Sequence, residues 1–445
     1  MDTNASKTPD PLPFAAWQAM TPAAAARELH ERVAQLPVAL RRAAVAWLKP
    51  EEQLAGELGG SGSRPTAAGR EPGPPALNGI PYFLKDLFDY AGVETRAGST
   101  FLHQVRPLPT HSSRIVNELT RAGSVCAGKA HLVEFASGLT GENPHYGDCP
   151  HPHFPDRLSG GSSSGSAALV RAGVAPLAIG TDTGGSVRVP AAWCGLYGFR
   201  LTPGDDLIRD AFPLAPTLDT AGWFTANAGD MRTAWKTLVG DGDPPTAVTT
   251  HPLRGCYLDA RKLVPTMDPA VATACDYAAA SLSAHADGMA EASLVLSWHH
   301  AVEAYVTIGM SEAHAVHRNW LAPYRECYDP IIWRRFTDAG HFPAADLAAA
   351  RERLAEVRTV WRDFFRAYDF LVLPAVPCAA PTKAEATPEL RRNILTLTAP
   401  ASLGGLPVLT IPLPLADGLT AGLQIVVAAP DSPVVGHLLN RPSEF

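Results

Sequence analysis

Three short segments carry side chains that could act together in nucleophilic catalysis. Lys85 ends the apolar, strand-like run IPYFLK (80–85), and the glycine-rich turns GGSSSGS (160–166) and TDTGGS (181–186) each contain serine. Glycines let the backbone turn so that its N–H groups converge on an oxyanion. A serine nucleophile needs a base, and a desolvated lysine can lose its proton near neutral pH. The three segments therefore predict serine-based chemistry with Lys85 as the base.

Each segment also has a plain structural interpretation. Taken alone, Lys85 is typical of a strand-end lysine that reaches solvent or pairs with Asp86 or Asp89. The serine-rich stretch has the composition of a flexible linker. The apolar segment AALVRAGVAPLAIG (167–180) directly after it argues against that interpretation, because linkers are not embedded in apolar flanks.

Other chemical signatures are incomplete. GSSSG (161–165) matches the nucleophile-elbow pattern, but the residues before it do not form the required strand. The D-T-G at 182–184 lacks the second such motif of an aspartic protease, and no lysine completes a phosphate loop. The histidine-rich CPHPH (149–153) is stiffened by prolines, and H-E-x-x-H is absent, so no metal site is expected.

The elements around these segments predict an α/β fold. Residues 14–48 have the spacing of one or two amphipathic helices that begin near Thr21, and 57–75 is a glycine- and proline-rich loop. Strand and helix patterns alternate from 77 to 204, helical patterns fill 269–368, and short strands return near the end. We expect an N-terminal segment (1–75) and one large domain (76–445), whose mixed, twisted β-sheet is covered by helices on both faces.

Composition excludes several classes of protein. The chain has 445 residues, 46% of them hydrophobic, and a net charge of −7, which argues against disorder and against a basic nucleic-acid-binding surface. Seven scattered cysteines indicate a reducing compartment. A signal peptide and an apolar stretch of about 18 residues are both missing, so we expect a cytoplasmic protein that does not bind a membrane.

The three segments together resemble the amidase signature family. The resemblance rests on GIPYFLKD (79–86), GGSSSGS (160–166) and GTDTGGSVRVPA (180–191). It extends to GENPHYG (141–147), YDFLVLPAVPCAAP (368–381), GGLPVLTIPLP (404–414) and AGLQIVV (421–427), and covers about residues 75–430. The resemblance implies an amidase without a cofactor, acting on a small-molecule amide.

The resemblance also implies roles for individual residues. Ser186 would be the nucleophile, Ser162 the bridging serine next to a cis peptide bond, and Lys85 the terminal base. The backbone N–H groups of Thr183, Gly184, Gly185 and Ser186 would form the oxyanion hole. Asp182 and Arg188 would form an ion pair that shapes this turn.

The chain departs from the family pattern at Ser164, Ser402 and the pair Thr420-Ala421, none of which belongs to the implied triad. Three functions stay open. The first is a free-standing amide hydrolase that releases ammonia or an amine, and the second is the amidase subunit of a glutamine-dependent amidotransferase complex. The third is a catalytically silent scaffold of the same fold. A homodimer is compatible with each of them.

Overall fold

The computed structural model describes residues 8–60, 75–240 and 252–441, and within these ranges its centre is an eleven-stranded mixed sheet. The strands are β1 (Val45–Leu48), β2 (Pro81–Lys85), β3 (Val125–Ala130), β4 (Leu177–Asp182), β5 (Tyr197–Arg200), β6 (Thr220–Thr225), β7 (Gly255–Tyr257), β8 (Ala284–His285), β9 (Phe370–Pro374), β10 (Val408–Pro414) and β11 (Thr420–Val427). Their order across the sheet is β1-β3-β2-β4-β6-β5-β10-β11-β9-β7-β8. The mixed sheet of a single α/β domain agrees with the fold that the sequence predicts.

Sixteen α-helices surround the sheet in the described part of the chain. They are α1 (Phe14–Gln18), α2 (Pro22–Gln35), α3 (Val38–Ala44), α4 (Glu51–Gly60), α5 (Leu102–Val105), α6 (Arg114–Arg121), α7 (Ser164–Arg171), α8 (Arg188–Cys194), α9 (Ala228–Val239), α10 (Pro269–Ser281), α11 (Gly288–Ser297), α12 (Ala301–His317), α13 (Pro330–Ala339), α14 (Ala344–Ala367), α15 (Pro388–Gly404) and α16 (Pro433–Leu438). No helix in these ranges is long and apolar enough to span a bilayer.

Strands β2 and β4 bring the chemically interesting segments together. Every residue of both strands is buried, and because successive side chains point to opposite faces, both faces of the sheet are covered here. The two strands are parallel neighbours, with Leu84 opposite Ile179. Their carboxyl ends, Lys85 and Asp182, therefore lie at the same edge of the sheet, where α/β folds usually place their sites.

The N-terminal region differs from the sequence prediction in two places. The predicted helices over 14–48 form as α1 to α3, and Thr21 caps α2 through its hydroxyl, but the last four residues form the edge strand β1. Antiparallel pairing with β3 stabilises this strand, and that long-range contact leaves no mark in the local pattern. The predicted loop at 57–75 begins later, because burial of Leu54 and Leu58 one turn apart extends α4 to Gly60. The rest of that loop, 61–74, lies outside the described residues.

The late strands return to the sheet. β10 pairs with β5, with Val408 opposite Arg200, and β11 pairs with β9, with Val427 opposite Phe370. Between them and the first half of the sheet, 269–368 contains α10 to α14 and also the two-residue strand β8, which pairs with β7. Helix α12 from this region and helix α15 contact the turn that follows β4, as described below.

Candidate active site

Lys85 is completely buried, and three hydroxyl groups surround its amine. Its Nζ lies 2.8 Å from Ser162 Oγ, 2.9 Å from Ser163 Oγ and 2.8 Å from Thr181 Oγ1. The pairings with Asp86 and Asp89 that the sequence left open do not form: Asp86 pairs with Lys129 at 2.5 Å, and Asp89 pairs with Arg106. The amine is therefore held among neutral partners.

The number of protons available limits what these hydroxyls can do. A neutral amine donates two hydrogen bonds and accepts one, so one of its three partners must donate to it. Ser163 Oγ also lies 3.1 Å from the carbonyl oxygen of Thr181, which can only accept, so its single proton is used there. Ser162 or Thr181 is left to donate to a neutral Lys85.

The surroundings favour the neutral amine. Burial lowers the pKa of Lys85 to about 7, although the nearby charges of Asp182 and Asp219 act to raise it. The lysine can thus exchange a proton within the physiological pH range.

Ser162 lies in a turn that neighbouring segments hold on both sides. The peptide bond between Gly161 and Ser162 is cis, the arrangement that the resemblance implied. The N–H of Gly161 donates to the carbonyl oxygen of Leu139 at 2.8 Å, and the N–H of Val133 donates to the carbonyl oxygen of Ser162 at 3.1 Å. Helix α7 starts directly after this turn, at Ser164.

The turn that carries Ser186 contacts the first serine turn directly. The N–H of Ser163 donates to the carbonyl oxygen of Ser186 at 3.3 Å, and both serines are buried. The structure thus brings the predicted residues Lys85, Ser162 and Ser186 into one region at the carboxyl edge of β2 and β4.

The carboxylate of Asp182 organises the backbone of the second turn. It accepts the N–H of Gly185 at 2.8 Å and the N–H of Val187 at 3.0 Å. The N–H of Gly185, which the resemblance assigns to the oxyanion hole, is therefore hydrogen-bonded to Asp182. The predicted donors that do not bind this carboxylate are the N–H groups of Thr183, Gly184 and Ser186.

Two buried arginines hold Asp182 in place. Arg188 pairs with it through two nitrogens, at 2.9 and 3.0 Å, which is the ion pair that the resemblance implied, and Arg200 lies 3.1 Å away. Burial alone would raise the pKa of Asp182, but the two guanidinium charges hold it well below its ordinary value. Ser402, one of the departures from the family pattern, binds both arginines, at 2.8 and 2.7 Å. The cluster holds one more positive than negative charge directly below the turn.

Helices α12 and α15 close over Gly184. A methyl group at this position would overlap the phenol end of Tyr305 on α12, so an alanine here would force either the turn or Tyr305 to move. Thr398 on α15 donates its hydroxyl proton to the carbonyl oxygen of Gly184 at 2.6 Å. Thr183 is held from another side, because its hydroxyl donates to Asp219 at 2.6 Å. Burial raises the pKa of Asp219 to about 6.

The histidines of CPHPH, and His317 on α12, have hydrogen-bond partners other than a metal. His151 contacts the carbonyl oxygen of Trp193 at 3.1 Å and accepts the N–H of His153, while His317 contacts the hydroxyl of Tyr328 at 2.9 Å. Across the described ranges, no three His, Cys, Asp or Glu side chains are grouped so that they could hold an ion.

Sequence reasoning missed Ser163, Thr181, Arg200, Asp219 and Tyr305. Ser163 and Thr181 lie inside the two glycine-rich turns GGSSSGS and TDTGGS. Their hydroxyl groups could have been considered as partners of Lys85 along with Ser162 and Ser186. Arg200 lies in β5, Asp219 directly precedes β6, and Tyr305 lies in α12, and no local pattern marks them.

Comparison with known proteins shows the family to which the chain belongs. The family model described as Amidase matches residues 63–431. The chain is 32% identical to the AtzE subunit of 1-carboxybiuret hydrolase from Pseudomonas sp. (strain ADP), over 80% of this chain and 81% of that protein. It is 33% identical to a glutamyl-tRNA(Gln) amidotransferase subunit of Symbiobacterium thermophilum, over 82% of each chain. A crystal structure of an amidase superposes with a TM-score of 0.79 at 28% identity, covering 95% of this chain and 96% of that one. The chain therefore belongs to the amidase signature family.

Proposed function

We propose that the protein is an amide hydrolase that works through an acyl-enzyme on Ser186, with Ser162 as the proton relay and Lys85 as the base. The single observation that carries the proposal is the buried amine of Lys85, 2.8 Å from Ser162 Oγ and with its pKa lowered to about 7 by burial. A structural lysine in a polar surface position would keep its charge. This one can take up a proton when a serine is activated.

Acylation begins when Ser186 Oγ attacks the carbonyl carbon of the amide. The proton of Ser186 passes to Ser162, whose own proton passes to the neutral amine of Lys85. The oxyanion that forms accepts hydrogen bonds from backbone N–H groups of the Thr183–Ser186 turn. The net positive charge of the cluster of Asp182, Arg188 and Arg200 below the turn stabilises the negative charge of this oxyanion.

Collapse of this intermediate breaks the C–N bond. Lys85 returns its proton through Ser162 to the leaving nitrogen, which departs as ammonia or an amine, and Ser186 remains acylated. Water then attacks the ester carbonyl and loses its proton along the same relay, which releases the carboxylic acid. Each proton taken up in one half-reaction is returned in that half-reaction, so no cofactor is required.

A second candidate function has specific support. The 33% identity to a glutamyl-tRNA(Gln) amidotransferase subunit favours an amidase subunit that passes ammonia to a partner protein. Copurification of a stable partner, with glutaminase activity that requires it, would support this function over a free-standing hydrolase. A catalytically silent scaffold is disfavoured by the intact Lys85 and both serines.

Hydrolysis of a panel of small amides by the wild-type and Ser186→Ala proteins tests the proposal. We expect ammonia release from at least one amide by the wild type and its loss in the variant. Thermal unfolding of both proteins is the control, because Ser186 is buried and its replacement must not be confused with misfolding. Equal rates in the two proteins would reject the proposal.

A further inference from the structure

Glu134 joins three segments of the chain beside the candidate site. Its side chain is completely buried, and one carboxyl oxygen lies 2.9 Å from Nε2 of His145 in the segment GENPHYG (141–147). The other oxygen accepts the N–H of Asp329, the residue that precedes helix α13, at 2.7 Å. Burial raises the pKa of Glu134, and both hydrogen bonds act against this rise. The proton relay proposed above makes no use of this buried acid.

The backbone directly after Glu134 is strained. Phe135 and Ala136 have φ angles of 49° and 59°, in the left-handed region where a side chain crowds its own backbone. Such strain persists only where surrounding contacts hold it. The N–H of Phe135 donates to the carbonyl oxygen of Ala97 at 2.8 Å, and its ring packs against that of Tyr328. Glu134 adds the two hydrogen bonds described above to these contacts.

The strained segment belongs to a loop, 132–139, that holds the first serine turn. The N–H of Val133 donates to the carbonyl oxygen of Ser162 at 3.1 Å. At the other end of the loop, the carbonyl oxygen of Leu139 accepts the N–H of Gly161 at 2.8 Å. A change in the conformation of the loop is therefore passed to the turn at both of these bonds.

A second residue of GENPHYG supports the same loop. The side-chain amide of Asn143 donates to the carbonyl oxygen of Leu132 at 2.8 Å. Contacts with GENPHYG therefore hold the loop immediately before and immediately after Val133, the residue whose N–H binds Ser162.

We infer that Glu134 is a positioning residue for the proton relay: its carboxyl group holds the strained loop in place, and the loop holds Ser162 against the amine of Lys85. This inference rests on the proposed function, because it concerns the same relay. The contact between Ser162 Oγ and Lys85 Nζ is 2.8 Å long, and a shift of about 1 Å would lengthen it beyond hydrogen-bond range. Glu134 acts through the main chain of the loop and exchanges no proton with the substrate.

Replacement of the carboxyl group tests the inference through the rate and its pH dependence. In Glu134→Ala the loop can relax, so that Ser162 moves away from Lys85 and water reaches the amine. We expect kcat to fall by about 10²-fold, the usual effect of a misplacement of about 1 Å. The midpoint of the pH profile should move above about 7, because hydration of the amine raises its pKa toward the ordinary value. Glu134→Gln keeps the shape and an acceptor for the N–H of Asp329, and should retain most of the activity.

A second substitution tests the role of the strain itself. Glycine adopts a positive φ at little cost, so Ala136→Gly makes the conformation of the loop less dependent on Glu134. The double variant that combines Glu134→Ala with Ala136→Gly should recover part of the kcat lost in Glu134→Ala. If Glu134→Ala does not fold, His145→Ala takes its place. This change removes one of the two partners of Glu134 and should move kcat and the pH midpoint in the same directions by less.

Glu291→Ala is the matched control. Glu291 is also buried, and its carboxylate accepts the N–H of Asp259 at 3.1 Å, but it lies on α11, which supplies no residue of the candidate site. Its replacement should lower the melting temperature and leave kcat and the pH midpoint unchanged. A wild-type kcat or an unmoved pH midpoint in Glu134→Ala, or in His145→Ala where that variant replaces it, would overturn the inference.

A titration without substrate separates this inference from the proposed function. Isotope-labelled lysine side chains followed by NMR report the protonation of Lys85, and the Lys85→Met protein identifies its signal. A higher titration midpoint in Glu134→Ala than in the wild type supports the positioning role even if no amide is hydrolysed, whereas an equal midpoint contradicts it. Hydrolysis that depends on Ser186 but is unaffected by Glu134→Ala would leave the proposed function standing and reject the positioning role.

Discussion

The N–H of Ser163 donates to the carbonyl oxygen of Ser186 at 3.3 Å, and this bond joins two turns that lie 23 residues apart in the chain. In the first turn, Ser162 contacts the amine of Lys85. In the second turn, Gly184 packs against Tyr305. A main-chain contact, which does not depend on side-chain rotamers, therefore helps to set the relative placement of the proposed relay and the proposed nucleophile.

The pH dependence of hydrolysis should report the amine of Lys85. The base works only when neutral, so kcat/KM should be low below pH 7, rise through about 7 and level off at higher pH. Rates measured from about pH 5.5 to 9, with unfolding followed over the same range, check this expectation. A profile that stays flat across neutral pH would contradict Lys85 as the base.

The charge of Asp219 should influence the pH at which Lys85 loses its proton. Its charge acts to raise the pKa of Lys85, and its carboxylate holds Thr183 and accepts the N–H groups of Leu214 and Ala215. Asp219→Asn removes the charge and keeps the shape, so the pKa of Lys85 should fall further and the rise in kcat/KM should move to lower pH. A lower rate with an unmoved pH midpoint would indicate that Asp219 acts only through the structure of the turn.

Replacement of Ser162 should lower kcat much more than replacement of Ser163, although both hydroxyls contact the amine of Lys85. Loss of the relay in Ser162→Ala should lower kcat by about 10²–10⁴-fold, the usual contribution of a positioned proton-transfer group. The hydroxyl proton of Ser163 is committed to the carbonyl oxygen of Thr181, so Ser163→Ala removes an ordinary hydrogen bond and should cost about tenfold or less. Parallel kinetics of the two variants check this order, and the reverse order would assign the relay to Ser163.

Gly184 should tolerate no side chain. Gly184→Ala would push the turn or Tyr305 aside, and displaced oxyanion donors typically lower kcat by about 10²–10³-fold. Gly56→Ala is the matched control, because nothing lies near its added methyl group and it sits within α4, where alanine is favoured. Activity of Gly184→Ala close to wild type would show that the turn can shift freely.

The buried charge cluster predicts an asymmetry in stability. Asp182→Asn leaves Arg188 and Arg200 without a counter-charge and should destabilise the fold by about 3–5 kcal/mol. Arg200→Met leaves the ion pair of Asp182 and Arg188 intact and should lower the free energy of unfolding by clearly less. One nitrogen of Arg200 is buried without a hydrogen-bond partner, so its removal offsets part of the loss. Urea unfolding of both variants measures the difference, and equal losses would contradict it.

The residues of the proposed triad, which the structure brings into one region, could be found from the sequence more completely than their surroundings. Lys85, Ser162 and Ser186 lie in short segments of unusual composition, and β2 and β4 follow from continuous apolar runs. Arg200, Asp219 and Tyr305 are ordinary residues that reach the site through the tertiary fold, so local pattern carries no information about them. The strand β1 was missed for the same reason, because its partner β3 lies about 80 residues away in the chain.

The most direct test of the central claim is to locate the nucleophile by covalent labelling. The wild-type protein and the Ser186→Ala, Ser162→Ala and Lys85→Met variants would be incubated with a fluorophosphonate at about pH 8, and the adduct mapped by peptide mass spectrometry. We expect one adduct on Ser186 in the wild type, none in Ser186→Ala, and much slower labelling of Ser186 in the other two. An adduct on Ser162 or Ser163, or undiminished labelling of Ser186 without Lys85, would contradict the proposed triad.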